Sequence, residues 1–466
     1  IMWAKIEIIP DEREILFLPP SFIPPDSGAA AVQFGKVTVA CEILPIKYTE
    51  PEVSSSVTSA PSEPAAARPA AADGESYQTP ATIGISDTAA KKLLIPLSPV
   101  YQIKLNGQRV VIGPVIGLLL GIHTHRYTPE HMEKYTDRLG IYPELGGLIC
   151  AFSPKSVNWQ ALTVCGLFYN PTASGWEYGC FPLPDTIYRR DFHSGPELIK
   201  RLSDSTGGKL FNSYRFSKYE LYDYISSNNT LRRFIPPTEL IVDFTQVRGF
   251  IRDYEVVILK PVDLSRGRGI CVIERAAGGY RITDYRPRQP VVSELTDEQA
   301  LEQFFAKNPG FFSNYLIQRY LPLARIGDSL FDIRVVMQKH PDRTWGCTGI
   351  ECRVSGDGSH LTNISRGGSA LTLAEALRLA FGEECADIPK KIDVLCQDFC
   401  LYMDTTGEHF AEFGMDIAVD RQKKLWLIEA NVFPSFKGFK KTDRETYLSI
   451  RYQPLLYALS LTEFGE

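Results

Sequence analysis

Apolar and polar positions suggest strands over residues 6–17 and 32–46, the second alternating clearly from Val37, so the chain is expected to open with a small β-rich unit, residues 1–48. The alternation then stops. Residues 49–83 are mostly Pro, Ala, Ser and Thr with almost no large apolar side chain, too little burial to offset ordering, and predict a flexible linker. Apolar segments return in IPLSPVYQIKL, LGGLICAFS and ALTVCGLFYN, which predict an α/β domain over residues 84–209. No internal repeat of solenoid period interrupts this order.

From residue 210 the pattern tightens. Tyr214, Lys218, Leu221, Tyr224 and Ile225 recur at spacings of three and four, a helix that Pro236-Pro237 brings to a stop. Val256 to Leu259 read as a buried strand ending at Lys260, then a Ser/Arg/Gly loop over 265–269 and a second strand from Ile270. YLIQRYL at 315–321 is a strand running into a linker, and SLFDIRVVMQ and the stretch around Arg353 continue the β pattern. After helices from about residue 372 come EFGMDIAVD, a tight turn at 420–424, and LWLIEAN. Side chains alternate along a strand, so Glu429 and Asn431 share a face, and the hairpin brings Asp416 to them.

Composition adds bounds. The 466 residues are 44% hydrophobic and 23% charged, ordinary for a globular chain of two or three domains. A net charge of -5 argues against an extended nucleic-acid surface, so no nucleic-acid partner is expected. The apolar run at 110–122 is too short to span a membrane and is broken by Gly and Pro. Ten cysteines without a CxxC pair read as small buried thiols in a reducing, cytoplasmic compartment. Ile1 before Met2 reads as an added residue, and no charged-then-apolar leader follows, so secretion is not expected.

The Gly-rich loop lies between two strands, whereas a Walker loop or a dinucleotide fingerprint needs its glycines to open a helix. A flap of this kind lays backbone N–H groups over a polyphosphate, and Lys260 adds a point charge. Asp416, Glu429 and Asn431 supply hard oxygen donors of the type Mg²⁺ prefers.

Lys260 with its SRGRG flap, QRYL, FDIRVV, the NISRGG group and the paired Asp416 and EAN endings together resemble the ATP-grasp superfamily over roughly residues 200–460. The DIR, NxxRGG and ExN elements are similar to ligases that add glutamate to a ribosomal protein's C-terminus. GPVIGLL, DTIYRR and LFNSYRFSKYELYDYI followed by LRRFIPPTELI resemble the YheC/YheD family, ATP-grasp proteins described as endospore-coat associated.

The resemblance implies an α/β (α+β) chain with the ATP-grasp fold: two α+β subdomains gripping ATP between antiparallel sheets over 210–466. The flap would occupy about 256–275 and the metal-binding subdomain about 322–466, preceded by an α/β pre-domain. It implies that Lys218 and Lys260 bind phosphates beneath the flap of Ser265, Gly267 and Gly269. Gln318, Arg319, Tyr320 and Leu321 would meet the adenine and Asp332 the ribose, although relatives often have Glu at the place of Arg319. Arg334, Arg353, Asn363 and Arg366 would line the γ-phosphate and a carboxylate substrate. Asp416, Glu429 and Asn431 would hold Mg²⁺, two ions with Glu429 as the bridge, or Mn²⁺.

The implied activity is ATP-dependent ligation of a small-molecule or peptide carboxylate to an amine co-substrate through an acyl phosphate. A phosphotransferase and a non-catalytic coat component are the alternatives, and the oligomeric state, dimer included, stays open. The chain departs from the ligase pattern after Asn431, where VFPSFKG replaces small residues and Pro-Gly. Its aromatics and lysine either reshape the acceptor side or pack into the core.

Overall fold

The computed structural model describes residues 1–25, 28–46, 79–262, 269–287, 289–356 and 369–465. Two compact units emerge: residues 1–187 with 459–466, and residues 188–458.

In the first unit seven strands close a barrel: β1 (Met2–Ile9), β2 (Ile15–Leu18), β3 (Ala29–Phe34), β4 (Val37–Pro45), β5 (Ala81–Ser86), β6 (Tyr101–Asn106) and β7 (Arg109–Gly113), in the order β1-β5-β2-β4-β3-β7-β6. This corrects the expected unit 1–48 and the linker boundary at 83, because β1 pairs with β5 and β3 with β7 across the Pro/Ala-rich segment. Four strands alone would leave open edges; closure with β5–β7 removes them. The expected linker lies mostly outside the described residues.

The last residues also return here. Lys104 donates to the Glu463 carbonyl at 2.8 Å, Arg109 pairs with the Glu463 carboxylate at 2.7 Å, and a Cβ at Gly113 would stand 2.7 Å from the Phe464 ring. The compact units thus divide at 187/188, and residues 459–466 belong with the first.

Beside the barrel, β8 (Val115–Leu119) and β9 (Leu148–Phe152) are parallel and fully buried, with β10 (Thr163–Asn170) and β11 (Gly175–Pro182) following antiparallel. Cys165 and Cys180 stand opposite one another on β10 and β11 and form a disulfide, which corrects the reading of all ten cysteines as thiols. The hairpin register decides this, since their fifteen-residue separation carries no motif.

After the short strands β12 (Thr186–Arg189) and β13 (Leu210–Phe211), the second unit carries two antiparallel sheets rather than one parallel sheet. The flap sheet has β14 (Thr238–Leu240), β15 (Val256–Pro261), β16 (Cys271–Ala276), β17 (Gly279–Asp284), β18 (Val291–Leu295) and β19 (Tyr315–Arg319), in the order β14-β19-β15-β16-β17-β18. Val257, Leu259, Ile273 and Ile317 pack with residues of the helices Phe244–Asp253 and Glu298–Lys307, including Phe250 and Phe305, and alternation puts Lys260 and Gln318 on the opposite face.

The carboxylate sheet runs β23-β22-β21-β24-β25, built from β21 (Ser329–Lys339), β22 (Trp345–Val354), β23 (Ser369–Leu371), β24 (Glu412–Val419) and β25 (Leu425–Asn431), with β20 (Arg325–Ile326) paired to β21. Odd-numbered Phe331, Ile333, Val335 and Met337 of β21 and Phe413, Met415 and Ile417 of β24 join the helix Ile388–Asp404 in one core. By alternation Asp332, Arg334 and Gln338 take the other face. Among the described residues no helix is long and apolar enough to cross a membrane.

Candidate active site

The polar face of the carboxylate sheet is assembled by register. Arg334 lies opposite Asp416 on one side and Glu351 on the other, Asp332 opposite Arg353, and Asp416 opposite Glu429. Strict alternation from the buried Leu425 and Leu427 would aim Glu429 into the core. A β-bulge prevents this: Ile417 pairs with Leu427 but Asp416 with Glu429, so Ile428 is the extra residue. Ala430 and Val432 then continue the core face while Glu429 and Asn431 join Asp416 and Gly414.

On that face the charges hold one another. Arg334 donates to both oxygens of Asp416, at 2.5 and 3.0 Å, and Arg353 donates to both oxygens of Asp332, at 2.7 and 2.5 Å, while also reaching Asp416 at 3.0 Å. Burial pushes the Asp416 carboxyl up, but the two guanidiniums outweigh it and hold the group below its ordinary range. Burial lowers Arg353, and Asp416 and Asp332 more than reverse that, leaving it firmly cationic.

A second knot lies at the far end of β24. Glu412, wholly buried, accepts from Arg190 at 2.7 Å, Tyr188 at 3.1 Å and Gln338 at 2.7 Å. Arg190 also donates to the Pro434 carbonyl at 2.7 Å and stacks on Phe436, while Arg189 stacks on Phe433. The segment after Asn431 is thereby strapped across the sheet: Pro434 over Gly414, the Ser435 carbonyl 3.4 Å from Arg334, and Gly438 over Glu351. Phe433 and Phe436 are buried, so the two aromatics pack under the arginines of the YRR motif.

Across from this, the flap sheet offers a relay of one cation and two neutral groups. Lys260 donates to the Gln318 amide oxygen at 2.6 Å, and the Gln318 amide nitrogen donates to Thr238 at 2.7 Å. Burial brings the Lys260 ammonium down to about 8, reinforced by Lys218 and opposed by Glu429, so both of these groups lie within electrostatic reach of it. Lys218 opens a helix, Lys218–Ser226, that is fixed by the Ser217 and Glu220 capping box.

The other expected residues are distributed as follows. Arg319 stacks on Tyr254, its backbone N–H donates to Pro237, and the Tyr320 N–H donates to Val256. Leu321 packs with Ala418 and Trp426, tying the segment after β19 to the carboxylate sheet. Asp332 engages Arg353 within the network described above. Gly269 adopts φ +76°, a left-handed turn leading into β16 that suits glycine. Ser265, Gly267, Asn363 and Arg366 lie outside the described residues.

The oxygen set fits a hard divalent cation in kind: two carboxylates and an amide at the ends of paired strands. Among the described residues no three His, Cys, Asp or Glu side chains converge as a metal cluster. Sequence reasoning missed Glu351 and the Arg190–Glu412 pair. Glu351 could have been found two residues before Arg353, where strand alternation puts both on one face.

Residues 207–461, more than half of the chain, match the YheC/D-like ATP-grasp family. The chain belongs to this ATP-grasp family. Two Bacillus subtilis (strain 168) relatives of that name are similar: "Endospore coat-associated protein YheD", 27% identical over 76% of this chain and 80% of its own length, and "Endospore coat-associated protein YheC", 23% identical over 68% and 89%. Among solved structures, D-alanyl-alanine synthetase A from Vibrio cholerae is 13% identical, covers 73% of this chain and 98% of its own, and aligns with a TM-score of 0.39. At that score the likeness decides nothing beyond what the ATP-grasp family match already establishes.

Proposed function

We propose that this ATP-grasp chain is a Mg²⁺-dependent ligase that joins a carboxylate to an amine through an acyl phosphate. The observation that carries the reading is one polar sheet face on which register gathers Asp416, Glu429, Arg334 and Arg353, with Lys260 electrostatically coupled to Glu429.

Asp416, Glu429 and Asn431 would hold the metal. When bound there, it supplies charge neutralisation to the polyphosphate and polarises the phosphoryl group. Lys260 and Lys218 bring positive charge to the phosphates, with Lys260 oriented by the Gln318 amide. The planar forks of Arg334 and Arg353 suit the oxygens of a transferring phosphoryl group and of a carboxylate. Their carboxylate partners keep them charged and aligned, so stabilisation is prepaid in folding. The substrate carboxylate then attacks the γ-phosphorus, and the amine displaces phosphate from the acyl carbon. No protein nucleophile takes part.

Titration of Mg²⁺ and a non-hydrolysable ATP analogue into the wild type and Glu429→Ala tests the site, and ADP release against pooled amino acids and peptides tests the reaction. The reading expects metal-dependent binding that the variant loses, and ADP release only when carboxylate and amine are both present. Phosphorylated product without an amide would replace it with phosphotransfer.

A further inference from the structure

Glu351 shares the arginine face with Asp332, Asp416 and Glu429. It is 6% exposed, and among the described residues its Oε2 is buried without a hydrogen-bond partner, although buried carboxylates are ordinarily satisfied. Its neighbours are cations already committed: Arg334, directly opposite, is turned to Asp416, and Arg353, two residues along, to Asp332. Among the described residues, the hydrogen-bonded forks of Arg334 and Arg353 thus go to Asp416 and Asp332, and neither goes to Glu351. An ammonium group carries the N–H donors that the Glu351 Oε2 lacks.

The strap leaves this carboxylate covered by backbone alone at its nearest point. A Cβ at position 438 would overlap both Glu351 oxygens, so glycine there lets the chain cross the acid without a side chain over it. Lys437, next along the strap, is exposed. The facing groups are Arg334 and Asp332 on β21, Arg353 on its own strand, Asp416 on β24 and Gly438 of the strap.

We propose that Glu351 receives the ammonium group of the amine co-substrate and accepts a proton from it, an assignment that rests on the ligase reading. A proton passes from the ammonium nitrogen to a Glu351 oxygen, and the freed lone pair forms the bond to the acyl carbon. The carbon–oxygen bond to phosphate breaks, its electron pair leaves on phosphate, and the second surplus proton leaves with it. Glu351 is suited to this: burial pushes its carboxyl up to about 7, opposed by Arg353 and Arg334 and helped by Asp332 and Asp416, which matches an acceptor working near neutral pH.

The test takes the full chain with ¹³C-labelled glutamate carboxyls and titrates methylammonium as the probe. The signal absent from Glu351→Gln is that of Glu351; if that variant does not fold, Glu351→Asp assigns the signal equally. Methylammonium is expected to move this signal in the wild type, and tetramethylammonium, which has no N–H, is not. A Glu351 signal indifferent to methylammonium overturns the assignment.

A second readout uses hydroxylamine, already neutral near pH 7, to trap acyl phosphate formed from pooled amino acids and peptides. Glu351→Gln is expected to keep hydroxamate formation while losing amide formation by about 10²–10⁴-fold, the usual contribution of a positioned base. Equal loss of both products overturns the proton-accepting role. A methylammonium response without hydroxamate in the wild type overturns the ligase reading and leaves the ammonium site standing.

Discussion

The two antiparallel sheets of residues 188–458 carry charge in opposite ways. On the flap sheet Lys260 hydrogen-bonds to the neutral amide of Gln318, so its charge is free to act outward, at the cost of an ammonium brought down to about 8 by burial. On the carboxylate sheet Arg334 and Arg353 are locked to Asp416 and Asp332, and Arg190 to Glu412. The first arrangement offers an electrostatic handle that folding does not need. The second makes the same residues serve the fold and the site, because removing one partner leaves a buried charge alone.

The comparison breaks most sharply at Asp416. Asp416→Asn leaves two guanidiniums facing an amide, and loss of about 3–5 kcal/mol is expected, read as a lower urea midpoint. Unchanged stability would mean that the network contributes only to chemistry. Lys260→Met is the counterpart. Its partner is neutral and burial opposes its charge, so stability should hold or rise while affinity for the nucleotide analogue falls by roughly 10–100-fold, the value of a charge-assisted hydrogen bond. Titration calorimetry on a folded variant separates the two effects.

A smaller effect is expected at the strap. Gly438→Ala brings a methyl onto the Glu351 carboxylate and should destabilise by about 1–3 kcal/mol, the range for an overpacked site. Glu351→Ala in the same chain should restore much of that loss; additive losses would place the strain elsewhere.

The gentlest probe is pH. Lys260 ionises near 8 in the fold against its ordinary 10.5, so between those values the unfolded chain binds the extra proton and this group's contribution to stability rises with pH. Nucleotide affinity moves the other way, falling as pH climbs past 8 and the ammonium discharges. Lys260→Arg, charged throughout, should flatten the affinity profile.

What was legible in the sequence was whatever depends on neighbours along the chain. Alternation and turn chemistry marked Val256 to Lys260 and the tight turn at 420–424, and motif order marked the family, whereas the helix expected to stop at Pro236-Pro237 already ends at Ser226. Period-two reasoning put Glu429 and Asn431 on one face, but not which face; the bulge at Ile428 turned them from the core to Asp416. Nor could residues 1–48 announce that their edges would be closed by strands beyond a stretch of Pro and Ala, since closure is a contact between distant segments.

The same limit explains Phe433 and Phe436, whose two open readings were settled by arginines from Arg189-Arg190 stacking on them. It also explains Glu351, an ordinary strand residue until its register with Arg334 and the passage of Gly438 above it leave a buried oxygen without a partner among the described residues. Local periodicity and residue chemistry were determined by the sequence itself. Partnership between charges was decided only by the tertiary structure, because a Coulomb interaction depends on distance and desolvation, and neither is a property of sequence spacing.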